Sequence, residues 1–401
     1  MRTFEESQTL LAGLPIRPRT ETLPLGKSAG RVLAKPVRAA ADQPPFDRAT
    51  MDGYAVRLQP GLESYAVVGT VLAGQHWPGA LEPGQAVRIM TGAPCPSDCT
   101  VVQIERSNGG DTQVIFEAGA LRAGLNIAWQ GQDARRGDVV LDAGLRLDAG
   151  AIGAAAMAGA TEVEVFVPPR VAIVTTGDEV GASGPAGIPN SNGPYLDALC
   201  AGLGVPFRAW HARDEEAELR ATLQAAAAES DVVVTVGGVS MGTHDLVPMV
   251  AAELGLQELM HKVAIQPGKP VYLAGGDSGR FLLGLPGNPV SVLVGAHLFL
   301  APLLGRFAGD WRPTWLKLPI AQPFEHRGNR RLFLPARLGD GGLWPVRWNG
   351  SGDFYSAIGG DGLIDLQPGQ TLAAGECVPF LPMLCHTPGE VAASRIPQPI
   401  A

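Results

Sequence analysis

Three short segments carry glycine, hydroxyl and carboxylate groups in an order that suits phosphate binding. They are Thr175-Thr176-Gly177-Asp178-Glu179 after the apolar run VAIV, Gly237-Gly238-Val239-Ser240-Met241-Gly242 after DVVVTV, and Leu285-Pro286-Gly287-Asn288-Pro289-Val290-Ser291 after FLLG. Glycines at a strand–helix turn let backbone N–H groups approach phosphate oxygens, and the following helix N-terminus adds its dipole. One such segment alone reads as a tight turn, whereas three along one stretch of chain point to an anion-binding edge. Asp178, Glu179, Asp214 and Asp245 follow strands or begin helices of the same stretch. Acids gathered beside a phosphate loop can hold Mg²⁺ against a phosphate or pyrophosphate; without a metal they would repel the anion and raise one another's pKa values. The plainer alternative makes Asp214 and Glu179 helix caps. Lys262 and Lys269 flank the next strand, and Lys269 lies in Gln266-Pro267-Gly268-Lys269-Pro270. Those turn residues would aim its ammonium at an anion; the alternative is a solvated surface lysine. A second constellation lies upstream, with Asp52 in MDGYAV, Thr91 in RIMTGAP, and the pair Asn126 and Asp133. Each of these alone reads as turn chemistry.

These residues need a frame. Within 170–308, strands alternate with helical stretches: VAIVTTG, a helix from Tyr195 to Leu203, a helix from Asp214 to Ser230, DVVVTVGG, a helix from Leu246 to Leu254, then KVAI, VYLAG and FLLGLPG. That alternation predicts a parallel, doubly wound α/β sheet, whose ligands bind at the carboxyl ends of the strands. Upstream, residues 1–45 read as a helix from Phe4 to Leu14 and another around Ser28 to Leu33. Residues 46–132 read as an irregular β module built from YAVVGTVLAG, QAVRIMTG, TVVQIE and TQVIFEA. Residues 138–167 read as a strand, an Ala-rich helix from Asp148 to Gly159 and the strand EVEVFV, with Val167-Pro168-Pro169 as linker. Residues 309–401 return to β texture as a small barrel-like domain.

Composition narrows the options. The 401 residues are 46% hydrophobic and 17% charged, which excludes wholesale disorder and suggests about three domains. Gly 52 and Pro 34 occur without a collagen period and imply many turns. The net charge of −8, with no long basic run, argues against a nucleic-acid partner. The apolar stretch from Phe281 to Leu304 is interrupted by Pro286, Asn288, Pro289 and Pro302, and is not expected to span a membrane. Five scattered cysteines and an acidic N-terminus favour a cytoplasmic setting. Cys95 and Cys99 lack the further ligands a zinc site would need.

Taken in order, MDGYAV, RIMTGAP, VAIVTTGDE, VVVTVGGVSMG with Asp245, QPGKP and GLPGNPVS resemble the molybdopterin molybdenumtransferase family, which includes the E domain of gephyrin. The resemblance spans the chain, and GSGDFYSAIGGDGLIDL through LAAGE looks like that family's last domain. It implies an α/β multidomain fold. An elongated N-terminal domain comprises 1–45 plus 133–167, the β module is 46–132, the molybdopterin-binding domain is 168–308, and the C-terminal β-barrel-like domain is 309–401. It implies a homodimer whose cleft joins the α/β domain of one subunit to the β module of the other. The reaction implied takes adenylylated molybdopterin and molybdate with Mg²⁺, and releases AMP and molybdenum cofactor. Molybdopterin adenylyltransferase and acceptor molybdoenzymes are candidate partners.

Carried across residue by residue, Asp178, Glu179, Asp214 and Asp245 would sit at the pyrophosphate and Mg²⁺ site, beside Thr176 and Gly177. Gly237, Gly238, Val239, Ser240 and Gly242 would form the anion loop, with Lys262 and Lys269 neutralising oxyanion charge. Pro286, Asn288, Pro289 and Ser291 would shape the dithiolene end, Arg330 and Ser356 would help hold molybdate, and Asp52, Thr91 and Asp133 would face the site from the partner. The sequence departs from the family where Gln266 replaces a usual lysine, and where Trp129 and Gln130 replace basic residues. The Val-Val strand of the β module here follows Asp98-Cys99-Thr100 in place of the usual Gly-Ala-Asp. Those lost charges leave open a paralogue that binds molybdopterin, or acts as a scaffold, without catalysis.

Overall fold

The computed structural model describes residues 1–181, 183, 187–238, 246–276 and 279–385. Its organising element is a six-stranded sheet with spatial order Phe207–Ala212, Val171–Thr176, Val232–Val236, Phe281–Leu285, Tyr272–Gly275 and Gln257–His261. The first four strands run parallel, while Tyr272–Gly275 is antiparallel to both neighbours. The sheet is therefore mixed, correcting the all-parallel expectation. The central strands are buried on both faces, which is why they read as continuous apolar runs.

Successive strand residues point to opposite sides. Val171 and Ile173 join one core with Leu196 and Leu199 of the helix Asn192–Gly202; Ala172 and Val174 join another with Leu219, Leu223 and Val247 of the helices Glu216–Glu229 and Leu246–Glu253. This is double winding. The chain leaves the Val171 strand toward the Phe207 edge, then returns across the sheet to the Val232 strand. The crevice between those two strand ends is the topological switch point, where open α/β sheets bind ligands.

The run from Pro289 to Phe307 is helical throughout, despite Pro302. A π-helical turn over Ala296–Leu300 loosens the backbone just before the proline, where an α-helical hydrogen bond would be lost. Pro289 itself occupies a first-turn position, where no N–H is needed. The stretch is thus interrupted between Leu285 and Pro289, as expected, but runs on as helix through Pro302, where a break was expected. This helical run is long and apolar enough to cross a membrane, but most of it is buried in the α/β core.

The helix Phe4–Ala12 begins with a capping box between Thr3 and Glu6 and lays Phe4 and Leu11 into the α/β core, not into the N-terminal unit. That unit instead packs Leu25, Leu33, Leu147, Ala155 and Val165 between the paired strands Thr20–Pro24 and Glu162–Phe166 and the helix Ala149–Met157. The expected helix at Ser28–Leu33 does not form; a short 3-10 turn at Leu25–Lys27 leads into isolated bridges at Val32 and Leu33. The β module is a five-stranded sheet ordered Thr100–Gln103, Gly53–Val56, Gln85–Ile89, Ser64–Val71 and Gln113–Ile115. Gly53 is required there, because a Cβ at this position would lie 1.9 Å from the Val102 carbonyl oxygen.

In the C-terminal domain the strands Leu316–Pro319, Cys377–Pro382, Gly362–Leu366, Arg331–Gly339 and Gly342–Pro345 follow one another, and an Ile320–Leu343 bridge closes the circuit into a small barrel. Its sheet gains a short parallel strand, Ile265–Gln266, from the α/β region. Of KVAI only Ile265 therefore forms strand, and it joins the C-terminal sheet; the strand the α/β sheet takes from this stretch is Gln257–His261.

Candidate functional site

The switch point gathers the predicted loops. Thr176 ends its strand with its hydroxyl donating to the Val236 carbonyl, tying the TTGDE loop to the neighbouring strand. Gly237 follows with φ +97° and would place a Cβ 2.5 Å from the Thr176 hydroxyl oxygen, so only glycine fits without rearrangement. Its N–H donates to the Leu285 carbonyl at 3.0 Å, which joins the second loop to the third. Gly287 lies against Gly237, and Asn192, at the start of its helix, donates its amide to the Gly287 carbonyl at 2.7 Å. Gly177 and Gly238 complete the turn backbones.

The carboxylates converge at the same edge. The Asp178 carboxylate accepts the Asp214 backbone N–H at 3.2 Å. Burial pushes the Asp214 carboxyl above the usual range, and the charges of Glu179 and Asp178 push it further; His211 opposes them. Asp214 is not a cap: the helix Glu216–Glu229 takes Glu215 at that position, without a side-chain bond. Val239, Ser240, Gly242 and Asp245 lie outside the described residues. Among the described residues no three acids, histidines or cysteines form a ready metal cage. The electrostatic crowding of Asp178, Glu179 and Asp214 nevertheless suits a cation completed by substrate oxygens, since Mg²⁺ is commonly held by one or two carboxylates plus phosphate.

The third loop meets two further segments. Pro286 is buried, Asn288 is exposed and caps the helix begun by Pro289, and Ser291 is buried in its first turn. Val290 donates its N–H to the Ser351 carbonyl of the C-terminal domain at 3.0 Å. Nearby Asp353 accepts the Ser356 hydroxyl at 2.7 Å, and Phe354 stacks edge-on against Tyr195 with ring centroids 5.6 Å apart. Burial of the Asp353 carboxyl is outweighed by N–H donation, first from Asn349, which holds it below the ordinary range. Ser356 is thereby held beside the Pro289 helix. Gly268 packs near the Ser291 carbonyl, which brings the QPGKP loop alongside. Arg330 donates to the Ile265 carbonyl at 3.3 Å, one residue before Gln266. Lys269 is exposed, and Lys262 adopts φ +68° while its backbone N–H donates to Val271.

Asp52, Thr91 and Asp133 are not joined to this edge within the chain. They belong to the β module and its approach, whose two hydrophobic clusters include no α/β residue among those described. Asp52 accepts both the Thr91 N–H and the Thr91 hydroxyl, each at 2.7 Å, and these two donors hold its carboxyl below the ordinary range. The loop before Asp133 is tied down by acids: Asp47 accepts the Gln130 N–H at 2.9 Å, and Asp42 accepts the Gln130 amide at 3.1 Å and the Arg136 N–H at 2.9 Å.

Three contributors escaped sequence reasoning. His211 faces Thr175 across the sheet edge, Nδ1 to hydroxyl 3.1 Å, and its strand carries exposed Arg208 and half-buried Trp210, so it lacks an apolar signature. Asn192 had no signal beyond its place before a helix. Asn190, which bonds Thr175 at 3.3 Å, is equally silent.

Comparison with known proteins agrees with this geometry. Residues 2–159 match the model of the MoeA N-terminal region (domain I and II), 172–306 that of the probable molybdopterin binding domain, and 317–383 that of the MoeA C-terminal region (domain IV). A molybdopterin molybdenumtransferase of Synechococcus elongatus is 34% identical over 384 residues, covering 91% of this chain and 94% of its own. One from Nostoc sp. is 33% identical over 332 residues, covering 79% and 76%. Two crystal structures of the molybdopterin biosynthesis MoeA protein of Pyrococcus horikoshii each cover 95% of this chain. One has a TM-score of 0.74 at 31% identity and is covered over 98% of its length; the other has 0.79 at 25% and is covered over 100%. With its domain order matched along nearly its whole length and close relatives over most of it, the chain belongs to the MoeA family of molybdopterin molybdenumtransferases.

Proposed function

We propose that this chain inserts molybdenum from molybdate into adenylylated molybdopterin, with hydrolysis of the pyrophosphate bond and release of AMP. The observation that carries the reading is the meeting of Asp178, Glu179 and Asp214 with the glycine turns at Gly177 and Gly237–Gly238 on the switch-point edge. The backbone N–H groups of Gly177 and Gly238 bind the pyrophosphate oxygens, while that of Gly237, committed to the Leu285 carbonyl, fixes the turn. Asp178, Glu179 and Asp214 would hold Mg²⁺, which neutralises phosphate charge when bound. Lys269, three residues after Gln266, and Arg330, bonded to the Ile265 carbonyl, supply positive charge for molybdate, and Ser356 adds a hydroxyl beside the third loop. A two-fold homodimer would bring Asp52, Thr91 and Asp133 of one subunit to this edge of the other, because their own chain leaves them on a separate body.

The test is AMP release and cofactor reconstitution by the purified protein supplied with adenylylated molybdopterin, molybdate and Mg²⁺. Turnover that needs all three supports the reading; tight pterin binding with no AMP released in their presence overturns it. Gln266 and the Trp129–Gln130 pair favour a second reading, a family member that binds molybdopterin without turning it over. That second outcome is its signature.

A further inference from the structure

Far from the strand-end loops, two adjoining clefts open where the N-terminal unit meets the α/β domain. They share Arg31, Pro168 and Gly204, with empty volumes of about 420 Å³ for the inner and about 960 Å³ for the outer one, open solvent included. The Val167-Pro168 linker borders them, at the start of the Val171–Thr176 strand, and so at the opposite end of the sheet from Thr176. A six-residue strand sets these ends roughly 17 Å apart.

The lining has two characters. Inside, Phe166, Leu304 and Trp311 present apolar surface beside Arg31 and Arg146. At the mouth stand Arg19 and Arg170 with Glu21. Arg19 and Arg170 both lean on Asp231, and Arg31 pairs with Glu21 at 2.6 Å while donating to the Phe166 carbonyl. Arg146 has no carboxylate partner among the described residues. It donates to the Leu203 carbonyl at 2.7 Å, and its guanidinium lies 5.2 Å from the Trp311 ring centroid. Burial lowers its pKa from the ordinary arginine value. Four guanidiniums thus face two carboxylates, a local excess of positive charge on a chain whose net charge is −8. A concave site with low-dielectric walls focuses such a field, and the wide outer cleft has the room of a small-molecule site while the inner one is a narrow extension of it.

We propose that this cleft binds a small amphipathic anion, its flat apolar body against Phe166 and Leu304 and its carboxylate, sulfate or phosphate group held by Arg31 and Arg146. Such a ligand would span the joint between two units, because Arg31, Arg146 and Phe166 come from one and Leu203 and Leu304 from the other. The inference is independent of the reaction proposed above.

Calorimetric titration of the full-length protein with phenyl phosphate, inorganic phosphate and phenol tests it. Phenyl phosphate should bind one per chain with Kd of roughly 0.1–1 mM, and the other two at least about tenfold more weakly. Arg146→Gln should weaken phenyl phosphate about tenfold, and Arg170→Gln, at the solvent-exposed mouth, about threefold. Lys269→Gln should leave its affinity unchanged. The proposal fails if phenyl phosphate gives no saturable heat at several-fold above about 1 mM. It fails equally if neither arginine variant alters Kd, or if Lys269→Gln abolishes binding, which would place the ligand at the strand-end loops. Because Arg146 also joins the two units, Ala308→Leu, which narrows the inner cleft without removing a charge, provides the second variant should Arg146→Gln not fold; unaltered phenyl phosphate affinity in Ala308→Leu likewise overturns the proposal.

Discussion

Asp214 of the α/β domain and Asp52 of the β module are held in opposite electrostatic states. Asp214 is pushed toward its neutral form by burial and by Glu179 and Asp178, whereas Asp52 is held in its charged form by the N–H and hydroxyl of Thr91. The first group is crowded and gains from a cation. The second is already satisfied and presents a fixed, oriented acceptor. Two bodies that look alike as sequence, each an acid in a glycine turn, are thus left in different states: one crowded by like charge, the other satisfied by its own donors.

The largest expected effect breaks the crowded side. Asp178→Asn should reduce Mg²⁺-dependent AMP release on the order of 10²–10³-fold while the protein still melts cooperatively. A wild-type rate across a Mg²⁺ titration would remove this carboxylate from the site. Next come the backbone positions that build each body. Gly53→Ala, whose Cβ would strike the Val102 carbonyl, should cost on the order of 3 kcal/mol in denaturant unfolding. Gly237→Ala, strained at φ +97° and facing the Thr176 hydroxyl, should cost about 1–3 kcal/mol and lower AMP release as well. If Gly53→Ala proved the milder of the two, the β module would be the more adaptable body.

Gln266→Lys tests the charge deficit near Arg330. A unit charge at ~4 Å is worth about 4 kcal/mol at an effective dielectric near 20, before desolvation and screening reduce it. The molybdate concentration for half-maximal cofactor formation should therefore fall several-fold, with pterin affinity nearly unchanged. Identical half-saturation in both proteins would place residue 266 outside the oxyanion pocket.

The smallest effect concerns pH. The folded pKa of Asp214 lies above its reference value of 3.8, so the stability linked to this group is complete below that value and is lost as pH rises through the folded pKa. Asp214→Asn cannot ionise and escapes the loss. Metal-free variant should melt on the order of 1–2 °C above wild type at pH 7, a modest gain because the side chain is largely solvated, and the gap should close near pH 4. Added Mg²⁺ should raise the melting temperature of wild type more than that of the variant. A gap that is constant with pH would mean the three carboxylates do not interact.

What was legible in the sequence tracks burial. The Val171, Val232 and Phe281 strands, buried on both faces, announce themselves and their glycine loops. The edge strand Phe207–Ala212, mostly exposed, shows no such pattern, and His211 was missed with it. A two-residue strand such as Ile265–Gln266 has no period to read, so its transfer to the C-terminal sheet is visible only in three dimensions. The helix from Pro289 was misjudged because a π-helical turn, which has no residue signature, absorbs Pro302. The separation of Asp52 from Asp178 is likewise a property of packing between units, not of any local motif.

The first helix carries a consequence for how the chain is made. Phe4 stacks on Phe333 with centroids 4.8 Å apart, and Arg331 lies over the Phe4 ring while pairing with Glu5. A ribosome adding about 5–20 residues per second needs roughly 15–70 s to travel from one partner to the other. For that interval the amphipathic helix Phe4–Ala12 lacks its final neighbour. Leu11 and Phe4 also touch the α/β core, most of whose residues precede Phe307 although Phe333, Leu363 and Leu381 join it later, so the helix has a provisional berth before the barrel arrives. The contact between the first helix and the Arg331–Gly339 strand is therefore among the last that translation permits.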